Sequence, residues 1–312
     1  LWEGPNGEMP ESGCCTASDS EDARRVASKL DIPYYVLDYT ESFSKNVVDN
    51  FTQMYAQGLT PNPCVECNRS VKFDHFINQA KKLNCDKVAT GHYAKIIKKN
   101  DNYELHKADY LDKDQSYVLH MLQSSDLENM TFPLGEISKP EVRQIAARIG
   151  LRTAFKKDSQ DICFVGKKDY RSFVEKRIDL TSPGEIFDTK GNKVGDHNGI
   201  HEFTVGQRKG LPGGYGTPRY VTKINVQNKN VTIGEKNDLL VSSFIIEELS
   251  CINDLEYKNL TIQTRYNSED LPCEIKKLSD TEVLVQLKEP AFSVAPGQFG
   301  VIYNGTKVVC GG

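Results

Sequence analysis

The chain has 312 residues, of which 38% are hydrophobic and 26% charged, with a net charge of −4 and a mean hydropathy of −0.51. This length allows two or three domains that each bury a core, and the balance excludes a disordered chain. No apolar run approaches the roughly 20 residues of a membrane span, so no membrane partner is expected. The opening LWEGPNGEMPESG has neither a basic flank nor an apolar stretch, so it does not read as a signal peptide. Leu1 and the closing Val308-Val309-Cys310-Gly311-Gly312 both read as cuts through a longer protein.

Ser18-Asp19 can cap a helix running to about Leu30, and IPYYVLDY (32–39) reads as a strand. Phe43, Val47, Phe51 and Tyr55 make an apolar stripe on a helix that Gly58 can end. The loop TPNPCVEC leads to a helix with Phe73, Phe76, Ala80 and Leu83 facing inward, and DKVATGHYAKII (86–97) is a strand with a glycine break. Residues 104–122 hold a short strand and then DKDQSYVLHML entering a helix. Pro140 opens another helix with Val142, Ile145 and Ile149 as its stripe and Gly150 as its cap. After about residue 166 short strands alternate with glycine turns, as in GEIFDTKGNKVGDHNG and INVQNKNVTIGE; from Ser243 onward the pattern is short β segments such as EVLVQL and GVIYNG. The order predicts an α/β parallel-sheet domain over 1–166, a small β-rich central domain over 167–236 and a C-terminal β-barrel over 237–312. In such a parallel sheet, ligands gather beyond the carboxyl ends of the strands, where PNPCVEC and TGHY are expected.

Charge is unevenly spread. Residues 1–60 carry a net −6 and residues 139–177 a net +6, so a basic face for phosphates can coexist with an acidic whole. The nine cysteines are odd in number and irregularly spaced, which argues for a reducing, cytoplasmic setting and against a disulfide framework. Cys85, Cys251, Cys273 and Cys310 read as buried apolar filler. Cys64 and Cys67 form a CxxC pair ahead of a helix whose N-terminus favours a thiolate; such a pair serves redox chemistry, half a zinc site or an iron–sulfur cluster. Cys163 sits in KDSQDICFVG after Lys156 and Lys157, which lower a thiol pKa if they lie close; its apolar neighbours Ile162 and Phe164 fit a buried cysteine equally well. FTVGQRKGL presents Gln207, Arg208 and Lys209 between two glycines, a shape suited to a phosphate backbone or to an ordinary exposed turn.

Taken together, PNPCVECNRSVKF, ATGHYAKI, KDQSYVL, FPLGEISKPEVRQIA, KKDSQDICFVG, TVGQRKGL, TRYNSEDLPC and APGQFGVIYNG resemble, in order and spacing, the tRNA-specific 2-thiouridylase (MnmA) family over essentially the whole chain. The resemblance implies an adenine nucleotide alpha hydrolase-like, PP-loop N-terminal domain and replacement of the C2 oxygen of the wobble uridine of tRNA by sulfur. ATP, with Mg2+, would adenylate that oxygen. Cys163 would carry the incoming sulfur as a persulfide, and Cys67 would be the nucleophile that cuts the S–S bond, leaving a Cys67–Cys163 disulfide. Gly91 falls at the family's ATP-contacting glycine. Asn62, Pro63 and Cys64 would line the target base, flipped from its stack. His92, Lys113, Asp114, Gln115, Arg265, Tyr266 and Gln298 fall at further tRNA contacts. A persulfide-donor protein, either a cysteine desulfurase or a relay protein, is the implied second partner.

Two departures bear on the chemistry. The family's SGGVDSS-type ATP loop is absent from this sequence, and the resemblance places it before Leu1. Some members carry Asp where this chain has Cys64. Cys64, Cys67 and Cys163 are therefore also a candidate donor set for a 4Fe–4S cluster that delivers sulfide. Two further readings stay open: a tRNA-binding protein without catalysis, and an ATP pyrophosphatase that acts on a small molecule and has no use for Cys67 or Cys163.

Overall fold

The computed structural model describes residues 16–158, 162–165, 170–178, 182–214, 216–251 and 258–312. Cys14, Cys15, residues 159–161 and Gly166 of the KKDSQDICFVG string, and the side chain of Cys251 lie outside the described part. The chain forms two compact units, the first of residues 1–49, 63–119 and 124–170, the second of 50–62, 120–123 and 171–312. No helix among the described residues is long and apolar enough to cross a membrane.

The first unit is the α/β domain. Its opening helix, Ala17–Leu30, is capped by Thr16 rather than Ser18: the Thr16 side chain accepts from the Asp19 amide, and the Asp19 carboxylate accepts from Thr16. This reciprocal arrangement satisfies donors that a helix start leaves open. The parallel pair β1 (Val88–Ala89) and β4 (Met130–Thr131) lies in register Val88 to Met130. Between them in sequence, β2 (Ala94–Lys99) and β3 (Asn102–Lys107) form a hairpin through a two-residue loop in which Asn100 takes the left-handed backbone. The glycine break in DKVATGHYAKII thus separates two strands.

Four expectations change. IPYYVLDY is not a strand; among the described residues no strand pairs with it, and Tyr35 and Val36 stay 69% and 59% exposed. Alternation selects faces, but a strand also needs a neighbour for its N–H and C=O groups. Phe76 and Leu83 at the helix Asp74–Lys82, and Ile145 and Ile149 at Lys139–Arg148, are exposed, so those helices lie on the surface; Phe73, just before the first of them, is buried. DKDQSYVLHML makes two short 3-10 turns, Leu111–Lys113 and Ser116–Leu119, with Asp114 and Gln115 between them. Cys85 is exposed, whereas Cys273 and Cys310 are buried.

The Phe43, Val47, Phe51 and Tyr55 stripe is buried along helical turns Thr40–Phe43, Ser44–Asp49 and Asn50–Ala56, and Gly58 ends them with φ +68°. Over Ser44–Asp49 and again over Cys67–Phe73 the hydrogen bonds widen to π-helical spacing, a geometry frequent at functional sites.

The second unit contains two β assemblies. A four-stranded sheet orders β6 (Lys193–His197), β5 (Gly184–Asp188), β8 (Asn230–Gly234) and β7 (Tyr220–Asn225), with β5 and β8 parallel and the outer pairs antiparallel. Ile186, Val221, Val231 and Ile233 fill its core. The C-terminal β-barrel runs β9 (Leu240–Ile246), β13 (Val283–Phe292), β12 (Leu271–Lys277), β11 (Leu260–Gln263), β14 (Val301–Asn304) and β15 (Lys307–Gly311), all antiparallel, with β10 (Ser250–Cys251) on β15. Val283, Val285 and Leu287 point inward at every second residue, as one buried face requires.

Gly135 tests the packing of the first unit. A Cβ there would lie 2.1 Å from the Ala94 carbonyl oxygen and 2.8 Å from the Lys95 side chain, so β2 leaves no room for it. Gly135→Ala is expected to lower stability by about 1–3 kcal/mol, read as a lower urea midpoint. An unchanged midpoint would contradict the packing described.

Candidate functional site

In the first unit, Pro63 starts the helical run Pro63–Glu66, Cys67–Phe73, Asp74–Lys82. Cys64 therefore lies in the first turn and Cys67 in the second. The N-terminal partial charge expected just downstream of Cys67 lies upstream of it and acts most strongly at Cys64. Val65 and Asn68 face inward, and the Asn68 amide donates to the Val118 carbonyl at 2.8 Å, fixing the helix rotation. With those two faces committed, Cys64 is exposed and Cys67 half-buried.

Cys163 is half-buried, and its neighbour Phe164 packs edge-on to Phe43 at 5.7 Å between ring centroids. Ser42, beside Phe43, donates to the Ser70 carbonyl at 3.5 Å and meets His75 at 3.0 Å. The turn Thr40–Phe43 thus adjoins both the segment that begins at Cys67 and the segment that carries Cys163. Lys156 has a different task from the one its sequence position suggests: its ammonium bridges Asp19 and Asp22 at 2.7 and 2.6 Å, clamping the first turns of the Ala17–Leu30 helix.

Thr90, Gly91 and His92 follow the carboxyl end of β1, where an α/β sheet collects ligands. Gly91 is exposed, and a Cβ on it would meet only Leu134, at an ordinary 3.8 Å. The space over this glycine is open to a close backbone approach. His92 sits between Phe73 and Phe132, and its Nδ1 bonds the Thr90 hydroxyl at 2.8 Å. Burial, with the Lys72 charge second, pushes the His92 pKa down to about 3.

The KDQS segment is tied to this loop. Gln115 accepts from the Tyr93 amide through its side chain at 3.0 Å and donates its own amide to the Tyr93 carbonyl at 2.8 Å. Asp114 is buried and accepts from the Ala108 amide at 2.8 Å and the Ser116 hydroxyl at 2.6 Å; burial pushes its pKa up. Lys113 reaches Asp158 at 2.8 Å, where Lys139 at 3.1 Å and Arg143 at 3.7 Å converge as well. The Lys113 hydrogen bond is the main reason the Asp158 carboxyl lies below its usual range. Asp158 was not apparent from sequence: an acid among lysines reads as a solvated charge.

In the second unit a single turn, residues 293–298, gathers three segments. Ser293 donates through its hydroxyl to the Val205 carbonyl at 3.2 Å, beneath Gly206, whose φ is +90°. Arg265 donates to the Ser293 carbonyl at 3.5 Å, leaving Arg265 and Tyr266 exposed. Gln298 donates to the Thr60 carbonyl at 2.7 Å, and the Thr60 amide donates to the Pro296 carbonyl at 2.9 Å, two residues before Asn62. Gln207 is turned onto its own loop, accepting from the Thr204 amide and donating to the Lys209 carbonyl, and this projects Arg208 and Lys209 outward as exposed cations. Asn62 is half-buried and Pro63 buried.

The low His92 pKa has a definite sign. The folded state takes up this proton less readily than the unfolded chain, so His92 costs stability as pH falls from 6.5 toward about 3. Between about pH 8 and pH 5 the ring stays neutral, and its NMR carbon and proton shifts are expected to be flat across that range. A midpoint near 6.5 would show that the aromatic enclosure is absent.

Family models match the whole length in three parts: a tRNA methyl transferase HUP domain over residues 1–167, a tRNA methyl transferase PRC-barrel domain over 171–235 and an aminomethyltransferase beta-barrel domain over 241–312. The chain is 42% identical to the tRNA-specific 2-thiouridylase MnmA of Lachnoclostridium phytofermentans, over 100% of its own length and 89% of that protein's. It is similar at the same 42% to the proteins of that name from Chloroflexus aurantiacus, covering 100% of this chain and 88% of the relative, and from Rickettsia prowazekii, covering 97% and 86%. Similarity of this extent, laid over an α/β unit whose cysteine-bearing segments meet one turn, makes the chain a member of the tRNA-specific 2-thiouridylase family.

Proposed function

We propose that this protein exchanges the C2 oxygen of the wobble uridine of tRNA for sulfur, as an ATP-dependent sulfurtransferase of the cytoplasm. The observation that carries the reading is the nearness of the thiol-bearing segments: Cys64 and Cys67 open one helical run, and the segments bearing Cys67 and Cys163 both adjoin the turn Thr40–Phe43. The division of labour follows the three sequence regions, with nucleotide and sulfur chemistry and the target base in 1–166 and further tRNA contacts in 167–236 and 237–312.

ATP with Mg2+ supplies the activation, turning the uridine O2 into a group that departs as AMP. The open space above Gly91 fits a nucleotide lying against the backbone there. Cys163 receives sulfur from a persulfide donor protein, and its terminal sulfur attacks C2 as AMP leaves, giving a C2–S–S–Cys163 adduct. The Cys67 thiolate then attacks the Cys163 sulfur. The S–S bond to the base breaks, thiouridine leaves with the electron pair, and a Cys67–Cys163 disulfide forms that an external dithiol reduces. Asn62, Pro63 and Cys64 lie on the stretch leading into Cys67 and would hold the flipped base. His92, neutral and bonded to Thr90, offers a hydrogen bond rather than a charge. Lys113 reaches tRNA phosphate by exchanging Asp158 for it, while Asp114 and Gln115 act by holding their loop. Arg208 and Lys209, with Gln207 shaping their turn, and Arg265 with Tyr266 supply exposed contacts.

The exposure of Cys64, three residues before Cys67, favours a second reading. Cys64, Cys67 and Cys163 would hold a 4Fe–4S cluster by three thiolates, and its open iron would supply bound sulfide in place of the persulfide. Protein purified without oxygen and free of iron would remove this version.

In the full-length protein, Cys67→Ser and Cys163→Ser are each expected to abolish thiolation while tRNA binding stays near normal, measured by thiouridine formation and by filter binding. Substantial thiolation by either variant would overturn the two-cysteine scheme; it would favour chemistry that has no use for them. Arg208→Ala and Lys209→Ala should each weaken tRNA binding and flatten the slope of log K against log salt by about 1. An unaltered slope would remove the phosphate role.

A further inference from the structure

Phe292 closes β13 and Ser293 follows it, and both residues reach the four-stranded sheet. Phe292 packs edge-on to Tyr220, 5.5 Å between ring centroids. Ser293 is 6% exposed and takes the left-handed backbone, with φ +58°. A serine is strained there, so the conformation persists only where its surroundings hold it. All three of its polar groups are engaged. The amide donates to the Leu239 carbonyl at 3.0 Å, the carbonyl accepts from Arg265 at 3.5 Å, and the hydroxyl donates to the Val205 carbonyl at 3.2 Å. Gly206, next to Val205, has φ +90°, and a Cβ on it would lie 2.0 Å from the Ser293 Oγ. The hydroxyl occupies space that only a glycine leaves. From the opposite side the Gly206 amide donates to the Val221 carbonyl at 2.8 Å, and the Gln207 carbonyl accepts from the Val221 amide at 2.9 Å. The turn that presents Arg208 and Lys209 is therefore held by its own sheet at Val221 and by the barrel at Ser293.

We infer that Ser293 is a positioning residue for tRNA binding: its hydroxyl, aimed by the left-handed backbone, fixes the Val205–Gly206 corner and so the direction in which Arg208 and Lys209 leave the turn. This rests on the reading that those two cations contact tRNA phosphate; the corner itself can be measured without RNA. The consequence is that an uncharged serine governs an electrostatic quantity. Cations on a wandering turn must be ordered when RNA binds, and that ordering offsets the counterion release they bring. A turn held on both sides is ordered already.

The test compares Ser293→Ala, which removes the hydroxyl, and Ser293→Gly, which also relieves the backbone, with the full-length wild type. Amide hydrogen exchange is measured on the RNA-free protein, and tRNA binding is measured across a salt series. Both variants are expected to speed exchange of the Gly206 and Gln207 amides by about 3- to 10-fold, the effect of losing one hydrogen bond. They should weaken tRNA binding by a similar factor and lower the slope of log K against log salt by about 1, although no charge has been removed. Added to Arg208→Ala and Lys209→Ala together, Ser293→Ala should have no further effect on binding, because it acts through those cations. Gly206→Ala drives a Cβ into the hydroxyl and should reproduce the faster Gln207 exchange and the lower slope, which keeps the test informative if a Ser293 variant folds poorly. A lower urea midpoint with Gly206 exchange and salt slope unchanged would overturn the inference and leave Ser293 as a core residue. Fully additive losses from Ser293→Ala and the two cation variants would overturn it as well. If exchange rises in Ser293→Ala while the variant lacking both cations binds tRNA like the wild type, Ser293 holds the corner and the phosphate reading fails.

Discussion

Asp114 has a buried carboxylate, and a buried carboxylate persists only where donors surround it. The Ala108 amide and the Ser116 amide and hydroxyl provide them, and that requirement folds the chain between β3 and the Ser116–Leu119 turn into one shape. Two consequences follow without further cause. Gln115 is brought against Tyr93 for a pair of hydrogen bonds, which ties this turn to the Thr90–His92 loop beyond β1. Lys113 is directed toward Asp158, which draws Lys139 and Arg143 to the segment leading to Cys163. The arrangement of polar loops in the α/β unit thus depends on satisfying a single acid.

The second unit works by the same logic with backbone groups. Residues 293–298 take up the carbonyl of Val205 and both backbone groups of Thr60. Electrostatics then divides between committed and available charge. Lys113, Lys139 and Arg143 share one carboxylate, whereas Arg208 and Lys209 stand exposed on a turn that Gln207 holds from within.

Much of this was legible from residue order. The stripe from Phe43 to Tyr55, the glycine break before His92, Pro140 at its helix start and the β character of the last half all follow from local chemistry. What was not legible depends on partners distant in sequence. IPYYVLDY is apolar like a strand but finds no pairing strand among the described residues, and Phe76 and Ile145 lie on exposed helix faces. Lys156 lies close to Cys163 in sequence, yet its partners are more than 130 residues upstream. Most tellingly, a motif does not distinguish a side chain that touches a substrate from one that shapes the loop touching it. KDQ and APGQ read as contact strings, and Asp114, Gln115 and Gln298 each also bond a backbone group of their own unit.

The central claim is that Cys163 delivers sulfur and Cys67 releases it. The most direct measurement is a single turnover of the sulfur-loaded full-length protein with ATP and tRNA, without reductant, followed by alkylation and peptide mapping by mass spectrometry. The account predicts a Cys67–Cys163 disulfide formed in proportion to the thiouridine produced, with Cys64 alkylated. Thiouridine formed while Cys67 and Cys163 both remain alkylatable would contradict it.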